Sequence, residues 1–168
     1  EVHAGDAEAP AAFWDSVRAQ GTPLVEPAGG DGKSVLVTFP YRGTSDTKGV
    51  AITGNVLVMQ VFASEAPGNL MLTRLASSDV WYRTLTMRRE ARFEYQLAVV
   101  TSAQPEVAGR RRGQPDPLNP RRYNDTSAVA LPGAPAEPYA EERAGVPRGH
   151  VERRRIASSI LNNQRDLE

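Results

Sequence analysis

The sequence predicts an all-β protein: an immunoglobulin-like antiparallel β-sandwich with a short N-terminal helix and an extended C-terminal tail. Several short segments alternate apolar and polar residues with the two-residue period of a strand, and turn residues separate them. Only one segment, at the N-terminus, reads as a helix.

That helix is residues 10–20. Pro10 suits a first turn, Phe13, Trp14 and Val17 share a face, Arg18 sits in the last turn and Gly21 can cap it, so it is expected to pack on one edge of a sheet. Thr22-Pro23-Leu24-Val25-Glu26 is extended by its proline, and residues 27–32 form a turn-rich break. Ser34-Val35-Leu36-Val37-Thr38-Phe39 is a strand with Val35, Val37 and Phe39 on one face, expected to end at Pro40 and the Arg42-Gly43 turn. Val50-Ala51-Ile52-Thr53 is a further strand closed by Gly54, residues 56–62 read equally as a strand or an edge-covering loop, and Ala66-Pro67-Gly68-Asn69 is a turn.

The centre of the chain is residues 71–100, with three apolar runs close together. In the second run Val80, Tyr82 and Thr84 alternate with Trp81, Arg83 and Leu85; in the third Phe93, Tyr95, Leu97 and Val99 alternate with Arg92, Glu94 and Gln96. Residues 88–91 between them are too few for a crossover helix, so these runs are expected to pair as an antiparallel hairpin. Trp81 and Tyr82 point to opposite faces, and Trp81 is expected to be the packed one. Residues 101–123, with Arg110-Arg111-Arg112 and four prolines, read as a long exposed loop. Ser127-Ala128-Val129-Ala130-Leu131 is one more strand, residues 132–149 a linker rich in Ala, Pro and Gly, and residues 151–167 a strand, a turn at Asn162-Asn163 and the start of another strand. The expected division is a sandwich domain over residues 1–131 and a linker with the start of a second domain over 132–168.

The chain has 168 residues, enough for one core without staples, and no cysteine, which excludes disulfides and thiolate metal sites and suits the cytoplasm. No segment reads as a signal peptide, and none approaches the roughly 20 apolar residues of a membrane helix. A formal net charge of +0 argues against nucleic acid as a partner. The charge is nevertheless uneven. Arg83, Arg88, Arg89, Arg92, Arg110, Arg111, Arg112, Arg121 and Arg122 face only Glu90, Glu94, Glu106 and Asp116 over residues 83–122. The bias to Arg over Lys, with much Ala, Pro and Gly, suggests a GC-rich bacterial genome.

Catalytic and metal residues are not expected, and no cofactor is implied. His3 and His150 are the two histidines, and no Gly-x-Ser-x-Gly elbow, Walker loop or HExxH is present. A sugar-binding platform on Trp81 or Tyr82, or a purely structural module, remains open from the residues alone.

Taken in order, Phe13-Trp14, Gly21-Thr22-Pro23-Leu24-Val25-Glu26, Val37-Thr38-Phe39 with Arg42, Met71 with Arg74-Leu75, Asp79-Val80-Trp81-Tyr82, Asp116-Pro117-Leu118-Asn119-Pro120, Ser127-Ala128 and Leu131-Pro132 with Ala134-Pro135 resemble the N-terminal domain of enterochelin (ferric enterobactin) esterases. The segment Ile156-Ala157-Ser158-Ser159-Ile160-Leu161-Asn162-Asn163-Gln164-Arg165 resembles the entry to that family's hydrolase domain. The resemblance implies a parent in which an immunoglobulin-like domain precedes an α/β-hydrolase that cleaves the esters of a ferric siderophore in the bacterial cytoplasm. The catalytic triad has no counterpart in this chain, which is expected to be a fragment. The partners it implies are a ferric siderophore of the catecholate type and the parent's own hydrolase domain, with neither nucleic acid nor membrane. Such a ligand is anionic with flat rings, which guanidinium groups neutralise and stack on. Arg74 and Arg83, flanking the Asp79 motif, and Arg121 and Arg122, following the Asp116 motif, are the expected substrate contacts, converging on one cleft.

Overall fold

The computed structural model of the chain describes residues 9–30, 32–54, 70–76, 78–101, 113–138, 144–147 and 149–167. It divides into two compact units, Glu1–Pro135 and Ala136–Glu168. In the first unit, helix α1 (Ala9–Gln20) is followed by β1 (Leu24–Pro27), β2 (Ser34–Arg42), β3 (Thr47–Gly54), β4 (Thr73–Arg74), β5 (Val80–Arg88), β6 (Arg92–Thr101), β7 (Arg122–Tyr123) and β8 (Thr126–Ala130). One sheet has the order β1-β2-β5-β4 and the other β3-β6-β8-β7, with antiparallel pairing throughout. Setting β7 aside, this is the A-B-E-D and C-F-G arrangement of an immunoglobulin-like sandwich.

Alternation explains which faces meet. Val35, Val37 and Phe39 of β2 and Leu85 and Met87 of β5 point inward from one sheet; Val50 and Ile52 of β3, Phe93, Tyr95 and Leu97 of β6 and Val129 of β8 answer from the other. At the centre Phe39 meets Tyr95 edge to face, with ring centroids 5.0 Å apart.

The expected hairpin between the second and third apolar runs does not form. β5 pairs with β2 and β4, whereas β6 pairs with β3 and β8, so the two runs lie in opposite sheets. The short turn between them is an arch over the core. Its backbone is shared by both sheets: Arg89 N donates to Lys33 O (2.9 Å) beside β2, while Ala91 O and Arg89 O accept from Leu131 N (3.0 Å) and Gly133 N (2.9 Å) after β8. Ala91 is fully buried beneath it.

Pro40 does not end β2, which continues to Arg42. β1 stops opposite Thr38, so Pro40 lies where β2 has a neighbour on one side only, an edge position that tolerates proline. Residues 70–72 run along β3, with Ile52 N on Leu70 O (2.9 Å) and Leu72 N on Val50 O (2.8 Å), before Thr73 and Arg74 pair with β5. That crossing closes one edge of the sandwich, and Leu72 is buried in it.

Helix α1 packs by Trp14 and Val17 against Val80, with Phe13, Leu24, Leu75 and Leu118 around them. Gly21, at φ +78°, caps it by donating its N–H to Val17 O (2.8 Å). The readings for residues 56–62, 66–69 and the Arg110-Arg111-Arg112 run lie outside the described residues. Residues 113–123 are not an exposed loop: Asp116 and Asn119 are buried, and Gln114 bonds both ways with Leu97 (2.8 and 2.9 Å).

The second unit contains a hairpin of β9 (Arg154–Ser158) and β10 (Asn163–Leu167). Asn162 supplies the positive φ its turn needs, and Arg155 pairs across the strands with Asp166 (2.8 Å).

Candidate functional site

Both motifs singled out in the sequence are knots of side chains, and each carries arginines to the surface. In the first, Asp79 precedes β5 and receives Trp14 Nε1–H on Oδ1 (3.0 Å) and Arg42 Nε–H on Oδ2 (2.7 Å). The Arg42 guanidinium also lies 5.8 Å from the Trp14 ring centre. Burial pushes the Asp79 carboxyl up, but the hydrogen bonds from Trp14 and Arg42 and the Arg42 charge outweigh it and hold the group below its ordinary value. The next residue, Val80, faces the helix, Trp81 faces inward against the core, and Tyr82 faces out, 38% exposed. Trp81 is half-buried rather than fully enclosed, and its indole lies over Gly43, where a Cβ would come within 2.4 Å of Nε1.

The second knot is built on Asp116, whose residue is 1% exposed. Its Oδ2 accepts from Thr22 Oγ1 (2.7 Å) and Tyr95 OH (2.6 Å), its Oδ1 from Leu118 N (2.9 Å), and its own N–H donates to Ser127 Oγ (2.9 Å). Asn119 adds Nδ2 to Ala128 O (3.3 Å) and takes Arg121 N on Oδ1 (2.7 Å). Burial, and then the Asp116 charge, push the Tyr95 phenol far above its usual range; the same causes in the same order raise Tyr41. Asp116 is thus an acceptor committed to backbone and hydroxyl groups, and what it does is fix the segment that leads into Arg121 and Arg122.

The four expected contact residues fall into two pairs. Arg74, exposed in β4, lies opposite Trp81 in register and donates Nε–H to Ser78 O (2.8 Å). Arg83, half-buried in β5, lies opposite Phe39 and so shares the inward face. Arg121 and Arg122 are exposed, the latter in β7 with Nη1 3.3 Å from Ser127 Oγ. β4 continues from the segment along β3, and β7 is the opposite edge of the β3 sheet, three strand spacings or about 14 Å away. Arg74 and Arg122 thus lie in edge strands of different sheets, while Arg83 faces inward from β5. Among the described residues no group of three or more His, Asp or Glu is placed to hold a metal ion.

Sequence reasoning did not assign Thr22, Trp14, Asp79, Tyr95 or Asn119 a partner. The available signal was polar residues locked between prolines in Asp116-Pro117-Leu118-Asn119-Pro120, inside a stretch otherwise poor in apolar residues.

A family model, described as enterochelin esterase, N-terminal, matches residues 36–140, which is more than half of the chain. The chain belongs to this family. The enterochelin esterase N-terminal match contains both motifs and all four arginines, while Trp14 and Thr22, which bond to Asp79 and Asp116, come from before it. Among solved structures, the enterobactin esterase FES from Shigella flexneri, crystallised in the presence of enterobactin, superposes with a TM-score of 0.63 at 22% identity over 92% of this chain and 43% of that one. The ferric enterobactin esterase from Salmonella typhimurium does so with a TM-score of 0.67 at 19% identity over 93% and 45%. Likeness at these identities is one of fold, and the chain spans less than half the length of these enzymes. No curated protein matches the chain.

Proposed function

We propose that this enterochelin esterase N-terminal chain is the non-catalytic part of a siderophore esterase in the bacterial cytoplasm: it helps bind a ferric siderophore of the catecholate type and supports the hydrolase domain that cleaves the ligand's ester bonds for iron release. The observation that carries the reading is the family match over residues 36–140. It is supported by relatives more than twice as long, one of them crystallised with enterobactin present.

Within this reading Arg121 and Arg122 are the principal contact, because the Asp116 knot holds their backbone while their side chains stay exposed. Exposed guanidiniums carried on a held backbone attract a multiply charged anion and stack on its rings. Arg74, exposed in β4, is a second, separate contact at the other edge; Arg83 faces inward from the neighbouring strand.

The test is kinetic. In the parent esterase, Arg121→Gln with Arg122→Gln is expected to raise KM for ferric siderophore several-fold more than for the iron-free form, with the difference shrinking at high salt. Equal changes for the two substrates, or none, would leave the domain a scaffold without ligand contact.

A further inference from the structure

The two open edges of the sandwich are treated differently. One is closed by residues 70–74, which pass from β3 to β5. At the other, β1 is four residues long and β8 ends at Ala130, and a cavity of about 410 Å³ opens beside them. It lies at the Arg88 end of β5, the end opposite Trp81 and Arg74.

Its walls have a definite chemistry. Val35, a core residue, forms part of the lining, with Val25, Pro27 and Pro132. Gly29, Gly30 and Gly32 add backbone at positive φ, and a Cβ on any of them would meet nothing within 4 Å. Among the described residues one cation contributes to the lining, Arg89. Its position is fixed from several sides. Its side chain lies across Gly133, where a Cβ would be 2.9 Å from Arg89 Cγ; its Nη1 donates to Gly32 O (3.3 Å); and its backbone is bonded to Lys33 and Gly133. A guanidinium held against an apolar recess is the usual way to bind a carboxylate that carries an apolar body. Glu26 also lines the recess and repels any anion, more strongly one with several negative charges, so a bound carboxylate must rest on direct contact with Arg89.

We propose that this recess is a binding site for a small monocarboxylate with a flat or short apolar body, the body seated against Val25, Val35 and Pro132 and the carboxylate on Arg89. The site is independent of the arginines assigned to the siderophore, and it suits a ligand of a different charge class.

The test uses the whole chain, labelled with nitrogen-15 and titrated with benzoate, with benzyl alcohol as a neutral counterpart of similar shape, and with inorganic phosphate. Benzoate is expected to give saturable shifts at the amides of Gly29, Gly30, Gly32 and Val35, binding about tenfold or more tighter than either other probe. Arg89→Gln is expected to weaken benzoate about tenfold, whereas Arg88→Gln, outside the lining, leaves it unchanged. Equal binding of benzoate and benzyl alcohol, equal binding of phosphate, or full affinity in Arg89→Gln would overturn the proposal. Should Arg89→Gln not fold, Val25→Phe fills the mouth with Arg89 in place, and benzoate affinity surviving that change would overturn it equally.

Discussion

Asp79 shows how a single residue ties helix to sheet, since its two oxygens hold Trp14 of α1 and Arg42 of β2. Because its folded pKa is lowered, the stability it adds is present above the unfolded carboxylate value and is lost as pH falls through the folded one. Wild-type stability is therefore expected to drop on acidification below about pH 4 by more than that of Asp79→Asn. At neutral pH the same variant is expected to cost about 1–2 kcal/mol. Denaturant melts of the two proteins from pH 7 to pH 3 check both expectations, and parallel curves would remove Asp79 from the account. Gly43 matters by what it lacks. A Cβ there would stand 2.4 Å from Trp81 Nε1 and 2.7 Å from Cδ1, so the ring must move, and Gly43→Ala is expected to cost about 1–3 kcal/mol and to alter indole fluorescence. A midpoint and spectrum identical to wild type would show that the indole does not rest on Gly43.

Among the elements, the segment of residues 113–123 departs furthest from its appearance in the sequence. Rich in proline and arginine, it looks like a solvated loop, yet Asp116 and Asn119 satisfy its backbone from within and join it to Thr22, Tyr95 and Ser127. Nothing in a single sequence pairs Thr22 with Asp116, which lie 94 residues apart. Asp116→Ala would leave two hydroxyls and a backbone N–H without their acceptor, and is expected to cost about 3 kcal/mol or more, against about 1 kcal/mol for Tyr95→Phe. Chemical denaturation of both variants measures this, and equal small losses would mean that the knot does not organise the segment. Strands β2, β3, β5, β6 and β8 were legible because alternation marks a half-buried strand whatever its partner. Partnership itself was not. Alternation tells which face of β5 and β6 is dry, and two dry faces can meet across a core as readily as they can lie side by side. An immunoglobulin-like sandwich holds both kinds of neighbour, hairpins within one sheet and strands that cross between sheets, and alternation does not tell them apart.

For the molecule as a whole, the ordered motifs carried the family, and the two most specific of them hold structural knots: Asp79 ties the helix to β2, and Asp116 fixes the segment before β7. The arrangement of arginines was not legible, since sequence adjacency to a motif does not say which flank of a sandwich a side chain occupies. Arg121 and Arg122 are both exposed, whereas Arg83 faces inward from β5, which makes the Arg121 and Arg122 pair the sharper test of the proposed role. The most direct measurement is calorimetric titration of the chain itself with a ferric tris-catecholate siderophore and with its iron-free form, at low and high salt. The account predicts that the ferric form binds about tenfold or more tighter, that salt narrows the gap, and that Arg121→Gln with Arg122→Gln abolishes most of it. Absence of binding, or equal affinity for the two forms in wild type and double variant, would contradict it.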